Sequence, residues 1–209
     1  MSCDPMKPQL EDLYRRTGMT KESCFFASRR LGRHDNLSLW TLTTLSFCLI
    51  IISMLTQIFP ENRFLIDNAR FISLSITSMS IFALIVSILV QKSSFSLRAE
   101  KYRTQAMEIS DLRISFRHLI ENLPSDGTSK EKIYINKSKK YAEILNRNIV
   151  HEQIDYLITT SKGIANSYYQ AKLFITEFLG YWTVICITLT LLSWVCLGTL
   201  SAYHLTIHE

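Results

Sequence analysis

The sequence is poor in the residue patterns from which most catalytic and metal sites are built. Its five cysteines, Cys3, Cys24, Cys48, Cys186 and Cys196, include no CxxC pair, which argues against a zinc site or a disulfide framework. Its six glycines form no cluster that would cradle a phosphate group. No Ser/His/Asp or Cys/His arrangement is recognisable, and the carboxylates are scattered among lysines. The sequence therefore predicts no enzyme, no cofactor and no metal site.

Charge is also missing from three long stretches of the chain. These stretches run from Leu37 to Phe59, from Phe71 to Gln91 and from Phe178 to Tyr203. A helix of about 20 residues is roughly 30 Å long, which matches the hydrocarbon core of a bilayer. Each stretch is therefore predicted to be a transmembrane helix. We expect the first one to be retained, because it is too long for the apolar part of a signal peptide and no cleavage pattern follows it.

Lysine and arginine are absent from the C-terminal end of the chain. Seven lie before residue 37, two in the loop 60–70 and fourteen in 92–177, and none follows Lys172. Cytoplasmic loops of membrane proteins carry the excess of these residues, so the N-terminus and 92–177 are predicted to be cytoplasmic and the C-terminus external. The arginines beside the first membrane helix, Arg29, Arg30 and Arg33, are expected to fix this topology and to contact lipid headgroups. Gating or ligand contact is the alternative role for them.

The resulting fold class is an all-α membrane protein. It has a transmembrane helical hairpin, a long cytoplasmic helical bundle or coiled coil, and a third transmembrane helix near the C-terminus. The predicted parts are a cytoplasmic N-terminal segment (1–36), a first membrane helix (37–59), an external loop (60–70), a second membrane helix (71–91), a cytoplasmic helical domain (92–177), a third membrane helix (178–203) and an external tail (204–209).

Helix-breaking residues are missing from the start of the cytoplasmic domain. Neither glycine nor proline occurs between Gln91 and Glu121, so the second membrane helix is predicted to continue as one long rod until the turn signal LPSDGT. Apolar residues along this rod follow steps of three and four, close to a heptad seam. The candidates for a seam that assembles subunits are Tyr102, Ile109, Phe116 and Leu123.

The second apolar stretch has more hydroxyl groups than a lipid-spanning helix needs. One helical face carries Ser73, Thr77, Ser80, Ser87 and Gln91, which are the candidate pore-lining residues. Two explanations stay open. Hydroxyls can return hydrogen bonds to their own helix and let helices pack closely, which requires no water. Alternatively, the stripe lines an aqueous path, and because three helices cannot enclose one alone, that explanation requires an oligomer.

The stretch KKYAEILNRNIVHEQIDYL, residues 139–157, resembles the signature of the SLATT family, the SMODS- and SLOG-associating membrane effectors of bacterial conflict systems. The transmembrane hairpin followed directly by a long cytoplasmic helix is also similar to that family. The matching residues are Tyr141, Ile144, Leu145, Asn148, His151, Asp155 and Tyr156. Ile149 and Val150 separate Asn148 from His151, and the third apolar stretch departs from the family's basic two-helix description.

The resemblance implies an oligomeric effector of an antiphage system in the inner membrane, which permeabilises or depolarises that membrane when triggered. The implied partners are lipid, further copies of the chain, and a sensor protein such as a nucleotide second-messenger synthase or a reverse transcriptase. The alternative function is a non-conducting membrane anchor or adaptor that recruits a soluble partner through its cytoplasmic helices. A small transporter subunit is disfavoured, because the membrane stretches contain no Asp, Glu, Lys, Arg or His.

The signature also has a structural interpretation of its own. His151 and Asp155 lie four residues apart, so they are expected to share a hydrogen bond, either in an interhelical contact or toward a partner. HEQID lacks the second histidine of a zinc-binding HExxH motif. The preceding run contains the lysines Lys130, Lys132, Lys137, Lys139 and Lys140 with Tyr134 and Tyr141 between them. A solvated helix face, attraction to the membrane surface, and nucleotide or RNA binding are its three possible roles.

Overall fold

The computed structural model describes residues 6–121, 127–147, 153–161 and 163–207, and these are almost entirely helical. The helices are α1 (Met6–Ile58), α2 (Arg63–Asp67), α3 (Ala69–Ser93), α4 (Phe95–Glu121), α5 (Gly127–Arg147), α6 (Gln153–Thr160), α7 (Ile164–Leu173) and α8 (Leu179–Ile207). A π-helical turn, Phe174–Phe178, lies between α7 and α8. No strand occurs in the described ranges, and the predicted all-α fold is confirmed.

Three helical segments are long and apolar enough to cross a membrane, and they contain the three uncharged stretches. They belong to α1, to α3 and to α8, the last of which lies near the C-terminus. The prediction of a membrane protein with three candidate spans is therefore confirmed. Lengths of uncharged sequence were sufficient to find these helices because the bilayer, rather than tertiary packing, sets their length.

The predicted continuous rod after the second membrane helix is interrupted at Ser94. This residue has a φ of 47° and a ψ of 44°, the left-handed conformation, and it separates α3 from α4. Ser94 is the only residue other than glycine with a positive φ in the described part of the chain. An L-residue in this conformation costs roughly 1–2 kcal/mol. The prediction was wrong here because serine is not a helix breaker, so nothing in the local sequence indicated a break.

The chain divides into two compact units. The first unit contains residues 1–33 and 95–172, and the second contains residues 34–94 and 173–209. In the first unit, the N-terminal part of α1 packs with α4 and α5. The core consists of the side chains Leu10, Leu13, Cys24, Ala106, Ile109, Leu112, Phe116 and Ile144. Burying a large apolar side chain contributes roughly 1.5–3 kcal/mol, so this cluster is a main source of stability for the first unit.

The heptad-like seam of α4 lies in this core. Tyr102, Ile109 and Phe116 are all buried among side chains of the same chain, and Leu123 lies outside the described residues. These side chains already have partners within the subunit. A second copy of the chain would therefore have to contact α4 on its other faces.

The second unit contains the end of α1 together with α2, α3 and α8. Its apolar core is formed by Ile52, Leu65, Ile72 and Val195. Asn62 caps α2, since its side-chain oxygen accepts a hydrogen bond from the Phe64 amide at 3.1 Å. The same side chain donates to the Thr199 carbonyl at 3.0 Å, so one residue orients α2 against α8.

Candidate functional site

Helix α3 is the least packed of the three candidate membrane helices. Only 6% of its most apolar stretch of 18 residues is buried. The corresponding share is 22% for α1 and 17% for the segment that contains α8. Ile72 is its one fully buried side chain among the described residues. Most of the surface of α3 is therefore available to lipid, to water or to another chain.

The predicted polar stripe lies on this open surface. Ser73, Thr77, Ser80, Ser87 and Gln91 are all exposed, and at 3.6 residues per turn they fall within an arc of about 80°. The remaining exposed surface is mainly apolar and includes Leu74, Ile81, Phe82, Ile85, Ile88 and Leu89. Helix α3 thus presents one face with hydroxyl and amide groups, interrupted by the exposed Leu84, and one face with hydrocarbon.

Two of the stripe hydroxyls are satisfied within the helix. Thr77 donates to the Ser73 carbonyl at 2.9 Å, and Ser80 donates to the Ile76 carbonyl at 2.8 Å. Back-bonding of this kind makes a hydroxyl inexpensive in a membrane helix. The side chains of Ser87 and Gln91 form no hydrogen bond within the described part of the chain. Back-bonding therefore accounts for part of the stripe and leaves its other end open to an external partner.

A buried ion pair is the main polar feature of the first unit. Arg30 of α1 donates from Nη2 to Oδ2 of Asp155 on α6 at 3.2 Å, and its Nε lies 3.1 Å from Oδ1. The two side chains are only 5% and 0% exposed. A planar guanidinium facing both oxygens of a carboxylate is a strong and directional contact.

Arg30 of this pair corrects a sequence-based expectation. Arg30 was expected at the lipid headgroups with Arg29 and Arg33, but it is buried in the protein while the other two are exposed. Asp155 was expected to pair with His151, which lies outside the described residues, and the structure gives it Arg30 as a partner. The two residues are 125 positions apart, so no local pattern predicted this contact.

Two further polar contacts join α1 to the same region. The hydroxyls of Thr20 and Tyr141 are 2.7 Å apart, and those of Ser23 and Thr159 are 2.9 Å apart. The signature residue Tyr141 thus has a structural partner. Ile144 is buried in the core and Leu145 is half-buried, whereas Asn148 lies outside the described residues. We call these two contacts and the Arg30–Asp155 pair the polar links of the first unit.

Cys24 lies beside these links on α1. Burial raises the pKa of its thiol to about 11, and the negative charge of Asp155 adds to this effect. The thiol is therefore protonated at neutral pH. It behaves as a small apolar side chain in the core.

The lysine-rich run on α5 presents cations beside two partly buried aromatic rings. Tyr134 and Tyr141 both pack against the core cluster, which leaves less of each ring accessible for a base to stack on. Lys137 donates to the Ser115 hydroxyl at 2.7 Å, and burial, with a smaller contribution from Lys140, lowers the pKa of its ammonium group. Lys132, Lys139 and Lys140 are exposed, and the side chain of Lys130 lies outside the described residues.

Comparison with known protein families identifies the family of the chain. The SMODS and SLOG-associating 2TM effector domain family 5 matches residues 6–203, which is nearly the whole sequence. The chain belongs to this SLATT family. The resemblance in the KKYAEILNRNIVHEQIDYL stretch is therefore confirmed. Neither a curated protein nor a solved structure gave a match.

The SLATT assignment fits the structure in most respects. The family is defined as a transmembrane effector domain, and the structure provides helices that can span a membrane. The match includes three candidate spans, one more than the two that the family name states. The family name also associates the domain with SMODS and SLOG proteins, which is consistent with a separate sensor partner. In the described ranges, no three His, Cys, Asp or Glu side chains come together as metal ligands.

Proposed function

We propose that this SLATT protein is an oligomeric effector of an antiphage system that permeabilises the inner membrane when a partner protein or a nucleotide signal triggers it. The observation that carries this proposal is the exposed polar stripe of α3. Hydrocarbon cannot satisfy the hydrogen-bonding groups of Ser87 and Gln91, whereas water or another subunit can. Several copies that turn their stripes inward would enclose a polar path.

The two faces of α3 suit this arrangement. The apolar face would contact lipid or neighbouring helices, and the hydroxyl face would line the path. The stripe contains no charged residue, so the path would be passive and weakly selective, unlike the charged rings that select ions in dedicated channels. Loss of the membrane potential is the expected consequence for the cell. No enzymatic step is part of this mechanism.

The first unit would receive the trigger. Its lysine and arginine content places it in the cytoplasm by the positive-inside rule, where a sensor protein would reach it. Its polar links fix α1 to α5 and α6, and α1 is also the first candidate membrane helix. A partner that binds one arrangement of these helices more tightly than another would shift the population of conducting oligomers.

Replacement of Thr77, Ser80 and Ser87 by leucine is expected to abolish most of the depolarisation that follows triggered expression. Leucine at these positions would turn a wetted path into a hydrophobic constriction that excludes water. The measurement is the fluorescence of a voltage-sensitive dye in cells that express the protein with its neighbouring sensor gene. The amount of protein in the membrane fraction should stay unchanged.

The matched control is Ser78→Leu, which removes an exposed hydroxyl from the apolar face of the same helix. This variant should depolarise cells as the parent protein does. Equal depolarisation by the triple variant would exclude the stripe as the lining of the path. No depolarisation by the parent protein, together with capture of the partner by its cytoplasmic helices, would instead support the anchor function.

A further inference from the structure

The chain passes between its two units three times; two of these passages lie at or beside a departure from regular α-helix, and the other lies beside a glycine within the continuous helix α1. The passages fall at residues 33/34, 94/95 and 172/173. Gly32 precedes the first, Ser94 occupies the second, and the π-turn Phe174–Phe178 follows the third by one residue. This coincidence points to a function for the departures themselves.

Packing does not explain the glycine at the first passage. A Cβ atom added to Gly32 would meet nothing within 4 Å, whereas one added to Gly18 or Gly198 would meet a neighbouring side chain. Glycine is among the residues least suited to a helix interior, because it has the most backbone freedom to lose. Helix α1 is therefore weakened at Gly32 without any steric need.

The other two passages depart from α-helical geometry. Ser94 has the left-handed conformation that L-residues other than asparagine and aspartate seldom adopt. In the π-turn, the Leu179 amide donates to the Phe174 carbonyl five residues back, and such turns occur mostly as single insertions at functional sites. Conversion of a π-turn to α-helix would rotate the helix that follows by about 100°.

Within the second unit, the first and third passages are joined by side chains. His34 Nε2 lies 2.8 Å from Oε2 of Glu177, and the imidazole stacks on Phe178 with 4.6 Å between ring centroids. A change in the π-turn would therefore alter the contacts of His34, which lies on α1 directly after Gly32.

We propose that Gly32, Ser94 and the π-turn form a three-point hinge through which the state of the first unit changes the orientation of the membrane helices. This regulation rests on the proposed effector function, and it names the positions that absorb the change in backbone angles. Hinges usually consist of a few positions that absorb a change in backbone angles; Ser94 and the π-turn lie between helices, and Gly32 is the weak point within α1.

The test is amide hydrogen exchange on the full-length protein in lipid nanodiscs, combined with triggered depolarisation in cells. Exchange at the three passages should be faster than in the neighbouring turns of the first unit, since weak points open locally. Gly32→Ala should slow exchange around residue 32 about 4-fold, which is the effect of a helical glycine-to-alanine change. It should also reduce triggered depolarisation.

The matched control is Gly180→Ala, which also adds a methyl group in open space on a helix. It should leave depolarisation unchanged. Uniform exchange across the passages, or an equal response of the two variants to the trigger, would overturn the hinge. If the parent protein never depolarises cells, the effector function fails, and the exchange measurement still decides whether the hinge exists.

Discussion

Asp155→Asn is expected to destabilise the first unit by roughly 3–5 kcal/mol. The asparagine would have nearly the same shape, but it would remove the buried carboxylate that faces the guanidinium of Arg30. Removing one partner of a buried ion pair has this cost because the remaining charge has lost both water and its partner. The change should appear as a lower midpoint of thermal unfolding and as faster proteolysis of residues 95–172 in the full-length protein.

A double variant separates the value of the pair from the cost of an orphaned charge. Arg30→Met with Asp155→Leu should be more stable than either single variant, because apolar side chains of similar volume can replace a buried pair at little cost. Asp12→Asn is the surface control, since Asp12 pairs with Arg15 and Arg16 in an accessible position. It should change little. Parent-like unfolding of Asp155→Asn would show that the pair does not hold α1 to α6.

Gly198→Ala is expected to destabilise the second unit by about 1–3 kcal/mol. A Cβ atom on Gly198 would overlap the ring of Phe64, which lies directly over this glycine. The ring also contacts Trp194 edge-on, with 5.1 Å between centroids, so it cannot move without loss of that contact. Overpacking of this kind forces side chains from their rotamers. Thermal unfolding of the detergent-solubilised protein would measure the effect.

Two further variants test whether the contact with Phe64 causes the loss of stability. Gly180→Ala has open space for the new methyl group, so it should be neutral or slightly stabilising. Phe64→Leu should partly rescue Gly198→Ala, because the smaller side chain vacates the contested space. If Gly198→Ala and Gly180→Ala unfold alike, α2 does not pack on α8 through this glycine.

The membrane helices and the stripe were predictable because their signals are local. Absence of charge over 20 or more residues identifies a span, and spacing alone places Ser73, Thr77 and Ser80 on one face. The spacing of Tyr102, Ile109 and Phe116 predicted an apolar seam between subunits, and the structure buries these three side chains within the chain. Which side chains of α1 cover these residues did not follow, because Leu10, Cys24 and Ala27 are distant from α4 in the sequence.

Contacts between distant parts of the chain were not predictable. Arg30 lies in a basic cluster, SRRLGRHD, whose other arginines are exposed. The composition of this cluster therefore does not indicate that Arg30 is buried. One signal was available. Arg30 follows Ala27 by three residues and so lies on the packed face of α1, whereas Arg29 and Arg33 lie outside that face. The left-handed conformation of Ser94 and the π-turn have no signal in the local sequence.

The most direct test of the central claim is the water accessibility of α3 in the triggered protein. Single cysteines would replace Ser80 on the stripe or Ser78 on the apolar face, in a background without the five native cysteines. A charged, membrane-impermeant thiol reagent should then modify Ser80→Cys and not Ser78→Cys, because thiolates react only where water reaches them. Protection of both positions, or equal labelling of both, would contradict a water-filled path lined by the hydroxyl stripe.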